Sequence, residues 1–314
     1  VESHALTKLE KQGEKTVTWA NIFGQWACER AVKEPKLVAI TPAMKEGSSL
    51  AEFAERYPDR FHDVAIAEQH AVTLAAGLAA GGAKPVVAIY STFLQRGYDQ
   101  LIHDIAIQNL DVLFAVDRAS LLEDGPTHSG AFDLSFTRAI PNLVIMVPSD
   151  SNMLKAMLDF GFDYPGPAIV RYPRGAIGPY QAEPTDLALG EASLIREGFR
   201  VAILVFGPLL NAALQIADER NYSVIDMRFV KPLDRDAIFK AADSHDLIVT
   251  LEENTLAGGA GSAVLEVLSS NPTPVLCLGV PDQFIVQDSP ANMQATTGIS
   301  LEKIRSAIEQ KIKG

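Results

Sequence analysis

Short apolar runs bounded by turn residues alternate along this chain with segments whose apolar positions recur at helical spacing. That alternation is the signature of a mainly parallel sheet covered by helices on both faces. The apolar runs predict strands at 37–40, 61–66, 85–90, 112–116, 143–147 and 168–171, and the periodic segments between them predict helices at 19–33, 68–82, 93–108 and 151–160. A Gly/Pro-rich stretch, 173–184, breaks the pattern and reads as a domain boundary. A second series follows, with strands at 201–206, 224–226, 247–251 and 275–278 and helices at 209–218, 235–242, 261–268 and 301–312. The expected fold class is therefore α/β, in two domains at 17–180 and 190–314, each a mainly parallel sheet flanked by helices. The polar, charged opening at 1–16 reads as a linker, and because it starts without Met an upstream region is expected.

Composition narrows the function. The 314 residues suit two domains, and 47% hydrophobic residues supply two cores. Net charge is −12 and the Lys and Arg residues are scattered, which argues against a nucleic-acid or anionic-membrane surface. Any phosphate on a substrate must then be met by a few placed arginines. Cys28 and Cys277 lie far apart, which fits a reducing cytosol and argues against a Cys-built metal site. Apolar runs fall short of the roughly 18 residues that span a bilayer, and the opening is not signal-like, so a soluble cytoplasmic protein is expected.

Within that frame, Asp63-Val64-Ala65-Ile66-Ala67-Glu68 places a carboxylate where a predicted buried strand turns into a small-residue helix, at a junction where α/β proteins hold catalytic groups. A desolvated carboxylate can share a proton with a basic nitrogen. The plainer reading is a first-turn acid facing the helix dipole, and on spacing alone the two stand level. The loop after the 112–116 strand is densely polar, with Asp117, Arg118, Glu123, Asp124, Thr127, His128 and Asp133, and it leaves the carboxyl end of a strand, where open parallel sheets bind ligands. His128 follows a shaped Asp-Gly-Pro-Thr turn, as acid–base work requires, although a lone loop His is more often surface decoration. Tyr90 to Arg96 and Arg171 to Gly175 mark two further strand ends. For Phe93 the alternative is core packing, and for Arg96 a solvated helix charge. Guanidinium forks suit phosphate, though one of Arg171 and Arg174 could simply pair with an acid. Gly258-Gly259-Ala260-Gly261 does not fit a dinucleotide fingerprint and reads as small residues letting a helix approach its sheet, with Glu252, Glu253 and Asn254 ahead of it as interface or loop residues.

These segments, in this order, resemble the carboxyl-terminal two thirds of the 1-deoxy-D-xylulose-5-phosphate synthases, thiamine diphosphate enzymes of the transketolase group. The resemblance rests on 40–44, 63–70, 88–96, 124–128, 171–175, 227–232 and 258–262 and covers nearly everything after residue 17. It implies a transketolase-like pyrimidine-binding domain followed by the transketolase carboxyl-terminal domain. It also implies that Glu68 bonds the cofactor's aminopyrimidine N1′ and favours the imino tautomer that deprotonates the thiazolium C2. Phe93 would stack on the pyrimidine and Ile66 would wedge the cofactor into its bent shape. Tyr90, Arg96, Asp124 and His128 would surround the reacting carbonyls, and Arg118 and Arg174 would meet the acceptor phosphate. The implied reaction joins pyruvate to glyceraldehyde 3-phosphate with loss of CO2, feeding isoprenoid, thiamine and pyridoxal synthesis in a homodimer.

Two departures bear on this expectation. The Mg2+ and diphosphate ligands of the family belong to an amino-terminal domain that this sequence does not contain, so no metal ligand is expected here and the isolated chain is expected to be inactive. The segment 117–125 is one residue shorter than the family pattern and lacks its two glycines, which bears on the placement of Arg118 and Asp124. Rival readings are the β subunit of an oxo-acid dehydrogenase E1 component and a non-catalytic module that kept the fold.

Overall fold

The computed structural model describes residues 17–183 and 186–313; the linker expected at 1–16 and Pro184, the last residue of the boundary stretch, lie outside them. Twelve strands in the described residues form two sheets. They are β1 (Leu37–Thr41), β2 (Phe61–Asp63), β3 (Lys84–Tyr90), β4 (Leu113–Asp117), β5 (Val144–Met146), β6 (Ala168–Arg171), β7 (Ser193–Arg196), β8 (Val201–Phe206), β9 (Ser223–Asp226), β10 (Phe229–Lys231), β11 (Leu247–Thr255) and β12 (Val275–Val280). The first sheet runs β10-β5-β6-β4-β3-β1-β2 and the second β12-β11-β8-β9-β7. Pairing is parallel except at β10 and β7, which join their sheets antiparallel. The α/β class expected from the alternation is the one observed.

Both faces of the first sheet are covered, and the side-chain alternation of a strand shows it. In β4, Leu113 and Ala115 point to the face packed by the helices Trp19–Lys33 and Ser151–Asp163, while Phe114 and Val116 point to the face shared with Glu68–Ala80. The helix Trp19–Lys33 forms where periodicity placed it because Thr18 and Asn21 cap it reciprocally, side chain to backbone. The second sheet buries Ile203, Val205, Val249 and Leu251 against Leu210–Arg220 and Leu301–Lys313.

Three expectations need correction. The strand expected at 61–66 is a half-buried edge strand ending at Asp63: the Asp63 carboxylate accepts the backbone N–H of Ala43 at 2.9 Å and Ala65 at 3.0 Å, and Ala65 turns left-handed at φ 55°. The helix expected at 93–108 is broken into Ser91–Leu94, a tight turn at Gln95–Gly97, Tyr98–Gln100 and a wide π turn at Leu101–Ala106. Within that break Gly97 lies so close to helix Glu68–Ala80 that an added Cβ would come within 2.9 Å of Val72 and 3.3 Å of the Glu68 carbonyl, which leaves room only for glycine. The residues Glu252, Glu253 and Asn254 are not loop but the buried end of β11. They do face an interface: Asn254 accepts from the Leu134 N–H at 3.2 Å and donates to Ser135 Oγ at 2.9 Å, tying the second sheet to the first half of the chain. β10 does the same, adding a strand from the second half to the edge of the first sheet.

The glycine stretch behaves as the sequence suggested. A Cβ at Gly261 would stand 2.6 Å from Thr250 Oγ1 and 3.0 Å from Cys277 Sγ, so the helix Ala260–Val267 can lie on its sheet only with glycine there.

Candidate active site

The parallel strands end side by side, and their carboxyl ends carry the chemistry. Glu68 follows β2, Tyr90 to Arg96 follow β3, Arg118 to His128 follow β4, and Arg174 follows β6. Glu68 opens the helix Glu68–Ala80 and is 1% exposed. Its Oε2 lies 3.3 Å from Arg96 Nε, but the two are misaligned and among the described residues this buried oxygen makes no hydrogen bond. Buried polar atoms are nearly always partnered, so an unfilled acceptor at a sheet edge points to a missing donor. Ile66, just upstream, is 71% exposed.

Aromatic rings line the same edge. Tyr90 and Phe93 stack with centroids 6.0 Å apart, and Phe93 meets the edge of His128 at 5.4 Å. His128 Nδ1 lies 2.9 Å from Thr127 Oγ1, and Thr92 donates to the Thr127 carbonyl at 3.2 Å, which ties the His128 turn to the start of the segment bearing Phe93. Burial pushes the Tyr90 phenol upward, with Arg118 opposing. The Arg118 guanidinium lies 3.6 Å from the centre of the Tyr90 ring, a cation–π contact.

The arginines divide by role. Arg171 is 2% exposed and bonds Asp133 at 2.6 Å and the carbonyls of Ala119 and Glu253, so it is the arginine that pairs with an acid and holds loops together. Arg174 is half exposed and pairs with Asp124 at 2.8 Å, with Glu123 3.7 Å away. The shortened loop is closed from within by Ser129 Oγ accepting the Leu122 N–H at 3.1 Å and by the Gly130 N–H bonding Ser120 at 2.9 Å. It brings Asp124 onto Arg174 and leaves Arg118 in a left-handed conformation at φ 60°.

Two family models match this sequence: "Transketolase, pyrimidine binding domain" over residues 15–179 and "Transketolase, C-terminal domain" over residues 190–304. The chain belongs to the transketolase family. Within that family it is 56% identical to the 1-deoxy-D-xylulose-5-phosphate synthase of Hahella chejuensis (strain KCTC 2396), in an alignment covering 99% of this chain and 50% of that protein. The enzyme of the same name from Stutzerimonas stutzeri (strain A1501) is 53% identical over 98% of this chain and 51% of its own length. The chain thus spans about half the length of the curated relatives it matches. Among solved structures, a split gene transketolase described as an inactive β4 tetramer superposes with a TM-score of 0.83 at 28% identity, covering 92% of this chain and 96% of that one. The transketolase of Campylobacter jejuni subsp. jejuni NCTC 11168 shares the fold, with a TM-score of 0.79 at 16% identity over 94% of this chain and 47% of that one.

The structure gives two further residues of this candidate site contacts that their sequence positions do not show. Asp117, buried at the end of β4, accepts both from the Arg118 backbone and from its guanidinium. Gly47 faces Tyr90, where a Cβ would collide with the phenol oxygen. Asp117 carried a signal, an acid ending an apolar strand; Gly47 carried none. Among the described residues no group of three or more His, Cys, Asp or Glu is placed to hold a metal ion, and no helix is long and apolar enough to cross a membrane.

Proposed function

We propose that this chain supplies the pyrimidine-binding half of a thiamine diphosphate-dependent 1-deoxy-D-xylulose-5-phosphate synthase, a transferase joining pyruvate to glyceraldehyde 3-phosphate with release of CO2. On this reading residues 17–180 and 190–314 are its two domains. An amino-terminal half, in the same or a separate chain, brings the Mg2+ and diphosphate ligands, and the assembly is a cytoplasmic homodimer. The observation that carries the reading is the Glu68 Oε2, buried and, among the described residues, without a hydrogen bond at the ligand-facing edge of the sheet. The residues present fit the cofactor: an acceptor for a ring nitrogen, an aromatic face at Phe93 and an exposed aliphatic side chain at Ile66.

When bound, thiamine diphosphate supplies the electron sink for the two-carbon carbanion. Glu68 holds a proton at the ring nitrogen set against its Oε2, in a site where burial strengthens the bond. Phe93 and Ile66 orient the bound rings. His128 moves a proton at the reacting oxygen, and Tyr90, Arg96 and Asp124 fix the carbonyl carbons around it. Arg118 and Arg174 take the acceptor phosphate, and this favours a phosphorylated aldehyde over a free one.

The similarity to a split gene transketolase whose β chains form an inactive tetramer supports a chain that is inactive alone. Calorimetric titration tests this. The chain alone should show no tight uptake of thiamine diphosphate with Mg2+, and adding the amino-terminal half should restore both uptake and turnover. Submicromolar binding by the isolated chain would overturn the proposal.

A further inference from the structure

Asp117 lies outside the residues assigned above, yet everything around Arg118 converges on it. It ends β4 directly beside Tyr90, its partner in the β3–β4 register. One carboxylate oxygen accepts the Arg118 N–H at 2.6 Å and the other accepts Nη1 at 2.7 Å. The first bond sustains the left-handed backbone at Arg118, a conformation that side chains other than glycine rarely hold unaided. The second holds the guanidinium over the Tyr90 ring, with Cζ 3.6 Å from its centre. Gly47 closes a third side, since a Cβ there would reach both the Tyr90 hydroxyl and, at 3.1 Å, Arg118 Nη2. Nη2 itself makes no hydrogen bond among the described residues.

We propose that Asp117 is a positioning residue that locks the Arg118 guanidinium against Tyr90 and presents its remaining N–H groups, already ordered, to the phosphate of the acceptor. The proposal rests on the reading of Arg118 as a phosphate ligand. An arginine fixed before its ligand arrives loses no rotamer freedom on binding, which is the physical content of preorganisation. Arg174, by contrast, is held only by half-exposed acids.

The charged and titratable groups facing Asp117 are Arg118, Arg174, Tyr90 and Tyr172, whose buried hydroxyl has no partner among the described residues. Burial pushes Asp117 up to about 6 against the pull of Arg118. Protonation of Asp117 at low pH would weaken its hold on Nη1 and so loosen the acceptor site.

The test compares Asp117→Asn, Arg118→Ala and unaltered enzyme, each assembled with the amino-terminal half, with both substrates varied between about pH 5 and pH 8. Asp117→Asn should raise the KM for glyceraldehyde 3-phosphate about tenfold at neutral pH while leaving the pyruvate KM within about twofold. It should also remove the part of the acceptor pH dependence that exceeds the titration of the substrate's own phosphate, whose second ionisation is near 6. If Arg118→Ala raises the acceptor KM and Asp117→Asn does not, positioning is overturned and the phosphate reading survives. If neither does, the phosphate reading falls and the proposal with it. An equal effect on both substrates would make Asp117 a structural residue and overturn the proposal. A readout independent of turnover is the 15N spectrum of the arginine guanidinium groups in the same assembly, with Arg118 assigned by its loss in Arg118→Ala. Its signal at neutral pH should differ between the unaltered protein and Asp117→Asn, and on acidification it should move in the unaltered protein alone; identical signals in the two proteins at neutral pH contradict the lock.

Discussion

Replacing Arg174 with Ala separates acceptor binding from chemistry on the donor. In the free protein Arg174 Nη1 sits 2.8 Å from Asp124 and 3.7 Å from Glu123, with side-chain exposures of 43%, 44% and 59%. Ion pairs this exposed are worth about 0–1 kcal/mol, so the substitution should leave folding stability within about 1 kcal/mol. A charge-assisted bond from a guanidinium to phosphate is worth about 1.5–3 kcal/mol, and Arg174 must give up part of its hold on the two acids to make it. The difference is about 1–2 kcal/mol, or roughly 5- to 30-fold in kcat/KM for glyceraldehyde 3-phosphate. The loss should lie in KM for that substrate, with the pyruvate KM nearly unchanged. Steady-state kinetics on the assembled enzyme, each substrate varied in turn, reads both constants, and urea unfolding checks the fold. An equal loss for both substrates would refute the reasoning by showing that Arg174 supports the loop through Asp124. No loss for either would move the phosphate to Arg118 or Arg96.

Three further outcomes follow from packing and burial. Gly97→Ala must push against Val72 and the Glu68 carbonyl, so unfolding titrations should show a loss of about 1–3 kcal/mol, and the assembled enzyme should lose turnover as Glu68 and Arg96 shift; an unchanged midpoint would mean the contact relaxes freely. Burial pushes Asp226 up to about 6 and Glu252 up to about 7, so the folded state holds these protons more tightly than the unfolded chain, and each group favours folding most below its ordinary pKa and progressively less as pH rises to its folded value. Asp226→Asn should therefore flatten the fall in unfolding free energy between about pH 4 and pH 6 by about 1–3 kcal/mol, and an identical slope in the variant would contradict the burial argument. Arg171→Met leaves the buried Asp133 uncompensated and should cost about 3–5 kcal/mol, read as a large drop in thermal midpoint; a shift of only a degree or two would show that the pair is dispensable.

How much of this was legible in the chain depends on how local each determinant is. The helix Trp19–Lys33 and the strand Ala168–Arg171 are readable to the residue because apolar periodicity and a short apolar run are patterns of neighbouring positions. β2 was overextended because its end is set by the Asp63 side chain capturing the N–H of Ala43, twenty residues away. β10 was invisible for the same reason: Phe229–Lys231 pairs with a strand some eighty residues earlier, and no local pattern names a partner. Glu252 looks like loop chemistry in sequence, yet its carboxylate accepts the N–H groups of Ala260 and Gly261 inside the protein. At the candidate site, motif order names Ile66, Glu68, Tyr90, Phe93, Arg96, Arg118, Asp124, His128 and Arg174, and these positions lie at or after the carboxyl ends of β2, β3, β4 and β6. What motif order does not carry is pairing. That Arg174 is held by Asp124, that Arg171 is buried and that Asp117 grips Arg118 are consequences of tertiary distances.

Whether the buried carboxylate of Glu68 meets a ring nitrogen of thiamine diphosphate is read most directly from the exchange rate of the cofactor's C2 proton in the assembled enzyme with and without Glu68→Ala. The account predicts that the variant still binds cofactor, stays folded, and exchanges that proton about 10²- to 10⁴-fold more slowly. Exchange at the unaltered rate with cofactor bound would contradict it and return Glu68 to the role of a first-turn acid at a helix end.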